Sequence, residues 1–306
     1  YDWSDRPITG YSWAENQLVY STPKGIYVAD TNSKIVDKPI SYITWSQNGK
    51  ALYQSQGQWF LLTSISAKPK PISIRLKSPI FSPNGQIAVA VEDNNVMTIS
   101  FPDLNTKSKQ LDYTPINLVW SPSSQIIAFE QKFKSISNIV ILTPKLDLIS
   151  NIPTGESSQL LAVSPDDSWA IIQDGNVLQI TSLVQNNKND IVVVANFTPS
   201  SKLSAAWTSE ILVVIETYPD RIGRKINYIW KLNKNNAEFN KELLANSAAI
   251  PRKLNLAGPL IPDPKHLILP LVENQGELWL LSLVPNSLPS YSSSGIKLRP
   301  IIPSGD

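Results

Sequence analysis

Short apolar runs recur along the chain. Each is preceded by an aromatic or apolar residue, then in most copies by a serine, and then by a polar turn. The three clearest copies are residues 45–52, 81–88 and 120–127. Weaker copies begin at Trp13, Val163, Trp207 and Ile261. Successive copies start 32 to 54 residues apart, about 41 on average, which is the repeat length of propeller blades. Asn-Gly and Ser-Pro turns between runs rich in Val, Ile, Trp and Tyr are typical of β-hairpins, so the repeats predict β-strands.

A second signal follows the first in every repeat: a glycine or asparagine at the head of another apolar run. These positions are Gly25, Gly57, Asn95, Asn138, Gly175, Asn227 and Gly276. Both residue types tolerate the positive φ of a tight turn, so we expect each to mark the start of a third strand. A more polar fourth strand completes the unit. In the second repeat the four predicted strands are residues 41–45, 50–55, 58–63 and 71–75.

The repeats predict an all-β fold, a β-propeller of seven four-stranded antiparallel blades, with six blades as the alternative. A lone four-stranded sheet is marginally stable, whereas a blade buries both faces against its neighbours, which suits continuous apolar runs such as residues 191–195. The 24 prolines argue against helical repeats of similar length. We expect residues 1–306 to form one propeller domain. Its last blade is closed by residues 295–302, or alternatively with the help of residues 1–6.

The repeated motif resembles the WD40-like repeats of TolB-type propellers over essentially the whole chain. The resemblance rests on Ser-Pro-Asn-Gly at residues 82–85, Ser-Pro-Asp at residues 164–166 and Gly-Ile-Tyr-Val at residues 25–28. The TolB propeller itself has six blades and follows an amino-terminal domain, and the Gly-His and Trp-Asp pairs of true WD40 repeats do not recur here. The resemblance implies an extracytoplasmic interaction module, periplasmic or secreted.

Composition excludes several kinds of chemistry. With no cysteine and one histidine, the chain has no disulfide, thiol nucleophile, Cys/His zinc site or mechanism that needs two imidazoles. A net charge of +2 is too small to attract nucleic acid or an anionic membrane. No apolar run is long enough to cross a bilayer. The nucleophile-elbow, phosphate-loop and dinucleotide motifs are missing, so we expect no cofactor, no metal site and no enzymatic activity.

Two repeats carry extra residues before their third strand, at residues 131–137 and 218–226. Function is often carried by variable loops on a rigid scaffold, so we predict that these insertions bind a partner. Their basic residues are Lys132, Lys134, Arg221, Arg224 and Lys225. The connections between blades are expected to add Arg75, Lys77, Arg252 and Lys253 to the same face. Phe133 and Tyr218 supply aromatic surface, while Glu130, Glu216 and Asp220 dilute the charge. The patch would suit an acidic protein segment, an anionic glycan or a lipid headgroup surface.

The nine tryptophans and the single histidine favour structural roles. Trp13, Trp45, Trp120 and Trp207 occupy the repeated aromatic position, which indicates packing between blades rather than a carbohydrate platform. Trp59, Trp230 and Trp279 fall in third strands, and only Trp3 and Trp169 lie outside both groups. His266 has no second histidine or cysteine to complete a metal site or a catalytic triad.

The sequence therefore predicts a monomeric, non-enzymatic propeller that presents a loop face to a protein partner. Two alternatives remain. One is a sensor domain of a larger receptor or kinase that binds a small molecule or glycan in the central channel. The other is a carboxylate-based glycan hydrolase or lyase, because two facing carboxylates leave no signature in sequence.

Overall fold

The computed structural model describes residues 9–14, 17–29, 31, 33–73, 77–134, 136–183, 192–207, 212–219, 225–235, 238–246, 261–262, 266–271, 277–282 and 298–302. Within these ranges every regular element is a β-strand. The strands form seven four-stranded sheets, and each sheet contains four successive strands in chain order. All pairs are antiparallel hairpins, as in β1–β2 and β2–β3. The prediction of an all-β fold built from four-stranded antiparallel sheets is confirmed.

The strand bounds follow the predicted repeats. The first sheet contains β1 (Gly10–Ala14), β2 (Gln17–Thr22), β3 (Gly25–Val28) and β4 (Lys34–Val36). The second contains β5 (Tyr42–Trp45), β6 (Ala51–Ser55), β7 (Gln58–Leu62) and β8 (Lys70–Ile72), and the third β9 (Ile80–Phe81), β10 (Ile87–Glu92), β11 (Asn95–Ser100) and β12 (Thr106–Gln110). The fourth contains β13 (Pro115–Trp120), β14 (Ile127–Phe133), β15 (Ile136–Leu142) and β16 (Leu148–Thr154). The fifth contains β17 (Gln159–Val163), β18 (Trp169–Asp174), β19 (Val177–Ser182) and β20 (Val192–Asn196). The sixth contains β21 (Lys202–Trp207), β22 (Leu212–Pro219), β23 (Lys225–Asn235) and β24 (Glu238–Asn246), and the seventh β25 (Ile261–Pro262), β26 (His266–Leu271), β27 (Glu277–Ser282) and β28 (Leu298–Ile302).

The serine of the repeated motif closes the first hairpin of the second to fifth sheets. Its hydroxyl accepts a hydrogen bond from the backbone amide at the start of the second strand, across the turn. The four pairs are Ser46 with Lys50 at 2.9 Å, Ser82 with Ile87 at 3.0 Å, Ser121 with Ile126 at 3.1 Å and Ser164 with Trp169 at 2.9 Å. All four serines are buried, so this bond satisfies a polar group that is shielded from water. The motif is therefore repeated because it builds the turn.

The same hairpins also connect neighbouring sheets. The amide of Gln47 donates to the carbonyl of Pro83 at 2.9 Å, from the second sheet to the third. The amide of Asn84 in the third sheet donates to Oγ of Ser124 in the fourth at 3.0 Å. Oγ of Ser123 donates to the carboxylate of Asp167 in the fifth sheet at 2.6 Å. Hydrogen bonds thus join the second to the fifth sheet along one end of the fold.

The fourth sheet is apolar on both faces, and strand alternation divides its side chains between two neighbours. In β14, Ile127 and Phe129 pack with Val89 of the third sheet. Ala128, which lies between them in sequence, packs instead with Ile172 of the fifth sheet. All five are 0–1% exposed. Burial on both sides explains why the strands read as continuous apolar runs rather than alternating ones.

Five inner strands end at the repeated aromatic or apolar position, as predicted, whereas β1 and β25 each end one residue after it. Trp45, Phe81, Trp120, Val163 and Trp207 are the last residues of β5, β9, β13, β17 and β21. These five strands surround a central cavity of about 470 Å³. The described part of the chain contains no helix with the length and apolar character needed to cross a bilayer.

Two predictions about turns are wrong. Asn138 and Asn227 do not start their strands, because β15 and β23 each begin two residues earlier. In addition, residues 131–137 do not form a long loop. β14 continues to Phe133 and β15 starts at Ile136, so the extra residues lengthen a hairpin whose ladder pairs Lys132 with Ser137. Lys134, with φ of 54°, takes the left-handed conformation at the turn.

Candidate functional site

One end of the sheets carries the predicted basic residues. We call it the connection face: it contains the turns between second and third strands and the connections from one sheet to the next. The opposite end, with the serine hairpins, is the hairpin face. Lys132 and Lys134 lie at the tip of the β14–β15 hairpin on the connection face, and Lys225 is the first residue of β23 on the same face. Arg221 and Arg224 lie outside the described residues, as do Arg75, Arg252 and Lys253. Lys77 is exposed in the connection between β8 and β9.

Lys132 is engaged in internal contacts. Its Nζ lies 3.2 Å from Oε2 of Glu130 and donates a hydrogen bond of 2.9 Å to the carbonyl of Ser158, in the connection to the fifth sheet. Glu130 is buried, and its Oε1 accepts hydrogen bonds from Nδ2 of Asn117 at 2.7 Å and from the amide of Leu160 at 2.6 Å. Lys132 therefore neutralises a buried carboxylate, and its charge is not free for a partner.

Phe133 and Lys134 form the exposed part of the hairpin tip. The Phe133 ring stacks on Tyr113 with centroids 4.6 Å apart and an interplanar angle of 17°. Phe133 is nevertheless 41% exposed. Nζ of Lys134 lies 5.2 Å from its centroid, within the range of a cation–π contact. The tip thus presents an aromatic pair with one exposed cation on a two-stranded ladder.

A row of aromatic rings lies at the sixth sheet on the same face. Tyr218 stacks on Tyr228 with centroids 5.7 Å apart, and Tyr228 stacks on Trp230 at 5.8 Å. A hydrogen bond with Tyr228, assisted by burial, raises the pKa of Tyr218 to about 12, so the Tyr218 phenol is neutral at physiological pH. Tyr218 was expected to supply aromatic surface, and the structure places it in this row.

Lys241 of the outer strand β24 lies at the Trp230 end of the row. Its Nζ lies 3.8 Å from the ring centroid of Phe197 and 3.9 Å from that of Trp230, and it donates to the carbonyl of Asn196 at 3.1 Å. Burial lowers the pKa of Lys241, while the charge of Glu216 acts in the opposite direction. Because Phe197 follows β20 and Lys241 belongs to β24, the contact joins the fifth and sixth sheets.

Glu216 is the second buried carboxylate near this face. Its Oε1 accepts from the amide of Thr198 at 2.6 Å and from Oγ of Ser201 at 2.9 Å, and its Oε2 accepts from Nε1 of Trp230 at 2.9 Å. Burial alone would raise the pKa of Glu216, but these hydrogen bonds outweigh it and hold the pKa below its ordinary value. Glu216 therefore does not dilute the surface charge, because it is an internal acceptor.

The tryptophans divide into packing and cavity positions. Trp59 is buried, and Trp169 packs partly buried against the core between the fifth and sixth sheets, as does Trp230. Trp45, Trp120 and Trp207 also contact core clusters, but they line the central cavity as well. The prediction of a pure packing role for these three is therefore incomplete.

Trp13, His266 and Trp279 lie in strands of the first and seventh sheets. Trp13 and Trp279 belong to β1 and β27, and Trp3 lies outside the described residues. His266 is the first residue of β26. Among the residues that the structure describes, no three His, Cys, Asp or Glu side chains gather where they could bind a metal ion.

Sequence inspection missed Tyr113 and Lys241. Tyr113 lies in a connection between sheets and Lys241 in an outer strand, and neither belongs to a repeated motif. Both reach their partners from a neighbouring element rather than along the sequence, so no local pattern marks them. Sequence inspection also did not identify Glu130 as a partner of Lys132, although the two stand two residues apart on the same side of the strand, as strand alternation requires.

Comparison with solved structures finds proteins of the same fold. A chain of the complex of KlAtg21 with the coiled coil of AgAtg16 is 11% identical with a TM-score of 0.60, covering 92% of this chain and 95% of that one. A chain of the mitotic checkpoint complex is 12% identical with a TM-score of 0.59, covering 91% and 87%. The β-propeller domain of the Trilobed protease from Pyrococcus furiosus, whose topology is described as open velcro, is 11% identical with a TM-score of 0.55, covering 96% and 82%.

At such low identity these similarities establish the fold alone. Together with the sheets around a central cavity, they show that the chain folds as a β-propeller. No protein-family model matches the sequence. No match is found among curated proteins either.

Proposed function

We propose that this propeller is a non-enzymatic interaction domain whose connection face binds a protein, with the contact centred on the β14–β15 hairpin. The observation that carries the proposal is the exposure of Phe133. A phenylalanine that is 41% exposed, stacked on Tyr113 and flanked by Lys134, is an aromatic anchor of the kind enriched in protein interfaces. The two-residue turn holds it on a rigid ladder, so little conformational entropy is lost on binding.

The partner is a protein segment with an apolar pocket or side chain for Phe133 and an acidic group for Lys134. Two of the solved structures of the same fold come from protein assemblies, the KlAtg21 complex with a coiled coil and the mitotic checkpoint complex. They illustrate that this architecture suits partner binding. The lack of cysteine and of common catalytic motifs, together with the internal bonding of Glu130 and Glu216, favours binding over catalysis.

The finer features of the fold are part of the same proposal. We infer a closed ring of seven blades built from WD40-like repeats of the TolB type, acting outside the cytoplasm as a monomer. The ring is supported by the succession of inner strands, since β1 lies beside β5, β5 beside β9, and β13, β17, β21 and β25 follow one another in the same way. The extracytoplasmic location rests on the resemblance of the repeats and on the absence of cysteine.

The double variant Phe133→Ala/Lys134→Glu tests the interaction. Lys145→Glu is the matched control, because Lys145 is an exposed lysine in the β15–β16 turn of the same sheet, on the hairpin face. Wild type and variants are immobilised in equal amounts, and proteins retained from a native extract are quantified by mass spectrometry. We expect the proteins enriched on wild type to be retained by Lys145→Glu and to fall at least tenfold on the double variant. Equal retention by all three would reject the connection face as the binding surface.

A further inference from the structure

The central cavity is large enough for a small molecule. Its volume of about 470 Å³ lies within the range of about 300–1,000 Å³ typical of ligand pockets. The inner strands β5, β9, β13, β17 and β21 all contribute to its wall. It reaches the hairpin face at Gln47, Pro83 and Pro122, so it is distinct from the hairpin tip at Phe133.

The wall of the cavity consists mainly of apolar side chains that are incompletely buried. Leu118, Leu161, Ala162 and Ala205 are partly exposed, and Ile80 is 38% exposed although it belongs to an inner strand. Large apolar side chains near the centre of a fold are normally covered by neighbouring residues. Here the space beside them is the cavity itself, so an apolar molecule would remove this surface from water.

None of the described residues that line the cavity has an ionisable side chain. The polar residues of the wall are Ser46, Gln47, Gln159 and Ser204. A charged molecule would lose hydration on entering and would find no opposite charge to replace it. The cavity therefore selects an uncharged occupant, with a few neutral hydrogen-bonding groups available.

Three indole rings give the wall flat carbon surfaces. Nε1 of Trp120 donates to the carbonyl of Ile80 at 3.2 Å, and Nε1 of Trp45 and of Trp207 are buried without a hydrogen-bond partner. Since the three N–H groups are bonded or enclosed in the wall, the rings present carbon rather than polar edges to the cavity. Flat aromatic surfaces favour a planar ring system by stacking.

We propose that the central cavity binds an uncharged, largely apolar organic molecule that contains a planar ring system. This site is independent of the protein-binding surface at the β14–β15 hairpin, and either can exist without the other. Binding in the cavity would place a small molecule at the axis that the inner strands share.

The test uses Nile red, a neutral planar dye, titrated into the whole protein while its emission is recorded. We expect saturable binding of one dye per protein with a blue-shifted emission. Ala205→Phe, which puts a ring into the cavity, should weaken binding at least tenfold. Ala195→Phe is the matched control, because Ala195 is also partly buried in the core between the fifth and sixth sheets but does not line the cavity.

A second variant and a second dye separate binding from folding and from surface adsorption. Leu161→Gln keeps nearly the same volume and should weaken Nile red binding severalfold while leaving the unfolding midpoint close to that of wild type. The anionic dye anilinonaphthalene sulfonate should bind at least tenfold more weakly than Nile red. The proposal is overturned if wild type does not bind Nile red, if Ala205→Phe and Ala195→Phe bind it equally, if Leu161→Gln leaves the affinity unchanged, or if the anionic dye binds as well.

Discussion

The backbone amide of Leu160 donates a hydrogen bond of 2.6 Å to Glu130 in the preceding sheet, from an inner strand to a carboxylate on a second strand. Gln173 makes the corresponding contact one sheet further on, where its Oε1 accepts from the amide of Leu203 at 3.0 Å. The last residue of β13, Trp120, pairs with Ile127, and Glu130 stands three residues after Ile127. In the next sheet Val163 pairs with Ala170, and Gln173 stands three residues after Ala170. An acceptor at this position therefore joins adjacent blades near the connection face.

Glu130→Leu should lower the free energy of unfolding by about 3 kcal/mol. The backbone amide of Leu160 and the side-chain amide of Asn117 would lose their acceptor, and Lys132 would lose its counter-charge. Urea unfolding followed by tryptophan fluorescence measures the change. Lys132→Met is the control and should cost only about 1 kcal/mol, since that lysine is one-third exposed and Glu130 keeps both N–H donors. If the two variants were equally stable, the inter-sheet bond would not carry the effect.

Lys241→Met should cost about 2 kcal/mol, because it removes the cation between Phe197 and Trp230 and the donor to Asn196 while keeping most of the apolar stem. The same urea titration applies. Lys202→Met is the matched control: Lys202 is exposed at the start of β21, and its replacement should change stability by less than about 0.5 kcal/mol. A loss as small for Lys241→Met as for Lys202→Met would contradict a stabilising cation–π contact.

Glu216 should make stability depend on acidity. Its pKa in the folded protein is held below the ordinary value of 4.5, so the unfolded chain takes up a proton more readily than the folded one. The stabilisation is complete above the ordinary pKa and is lost as the pH falls through the lower folded pKa. We expect wild type to lose stability between about pH 5 and about pH 3 and Glu216→Gln to lose less over that interval. Urea titrations at several pH values measure both curves, and parallel curves would show that another carboxylate is responsible.

The sequence predicted the features that are local and repeated. Ser82 and Ser164 form hairpins by bonding to an amide five residues away, so a short motif is sufficient to identify them. Trp45 and Trp120 each end an inner strand, and each is followed by the serine that closes the turn, so the same short motif marks both positions. Repetition of these short units along the chain was enough to predict the propeller.

The candidate site was less predictable because its contacts join different sheets. Lys132 looked available from its sequence neighbours, but its second partner is the carbonyl of Ser158, 26 residues away. Asn138 was placed at a turn because asparagine tolerates positive φ, whereas both strands extend further and the turn is made at Lys134, four residues earlier. The cavity exists only once the inner strands are arranged around a common axis, so no single repeat encodes it.

The bonds between neighbouring serine hairpins limit how the repeats can be exchanged. The side chain of Ser123 donates to the carboxylate of Asp167, whereas the backbone amide of Asn84 donates to Oγ of Ser124. The two hairpins therefore need different acceptors in the hairpin beside them. A repeat copied from one position into another would keep the backbone donors but would lose the side-chain acceptor that Ser124 or Asp167 supplies. The blades share one backbone plan but are not interchangeable modules, and a shuffled or duplicated order of the same units would lose the bonds that fix their sequence around the axis.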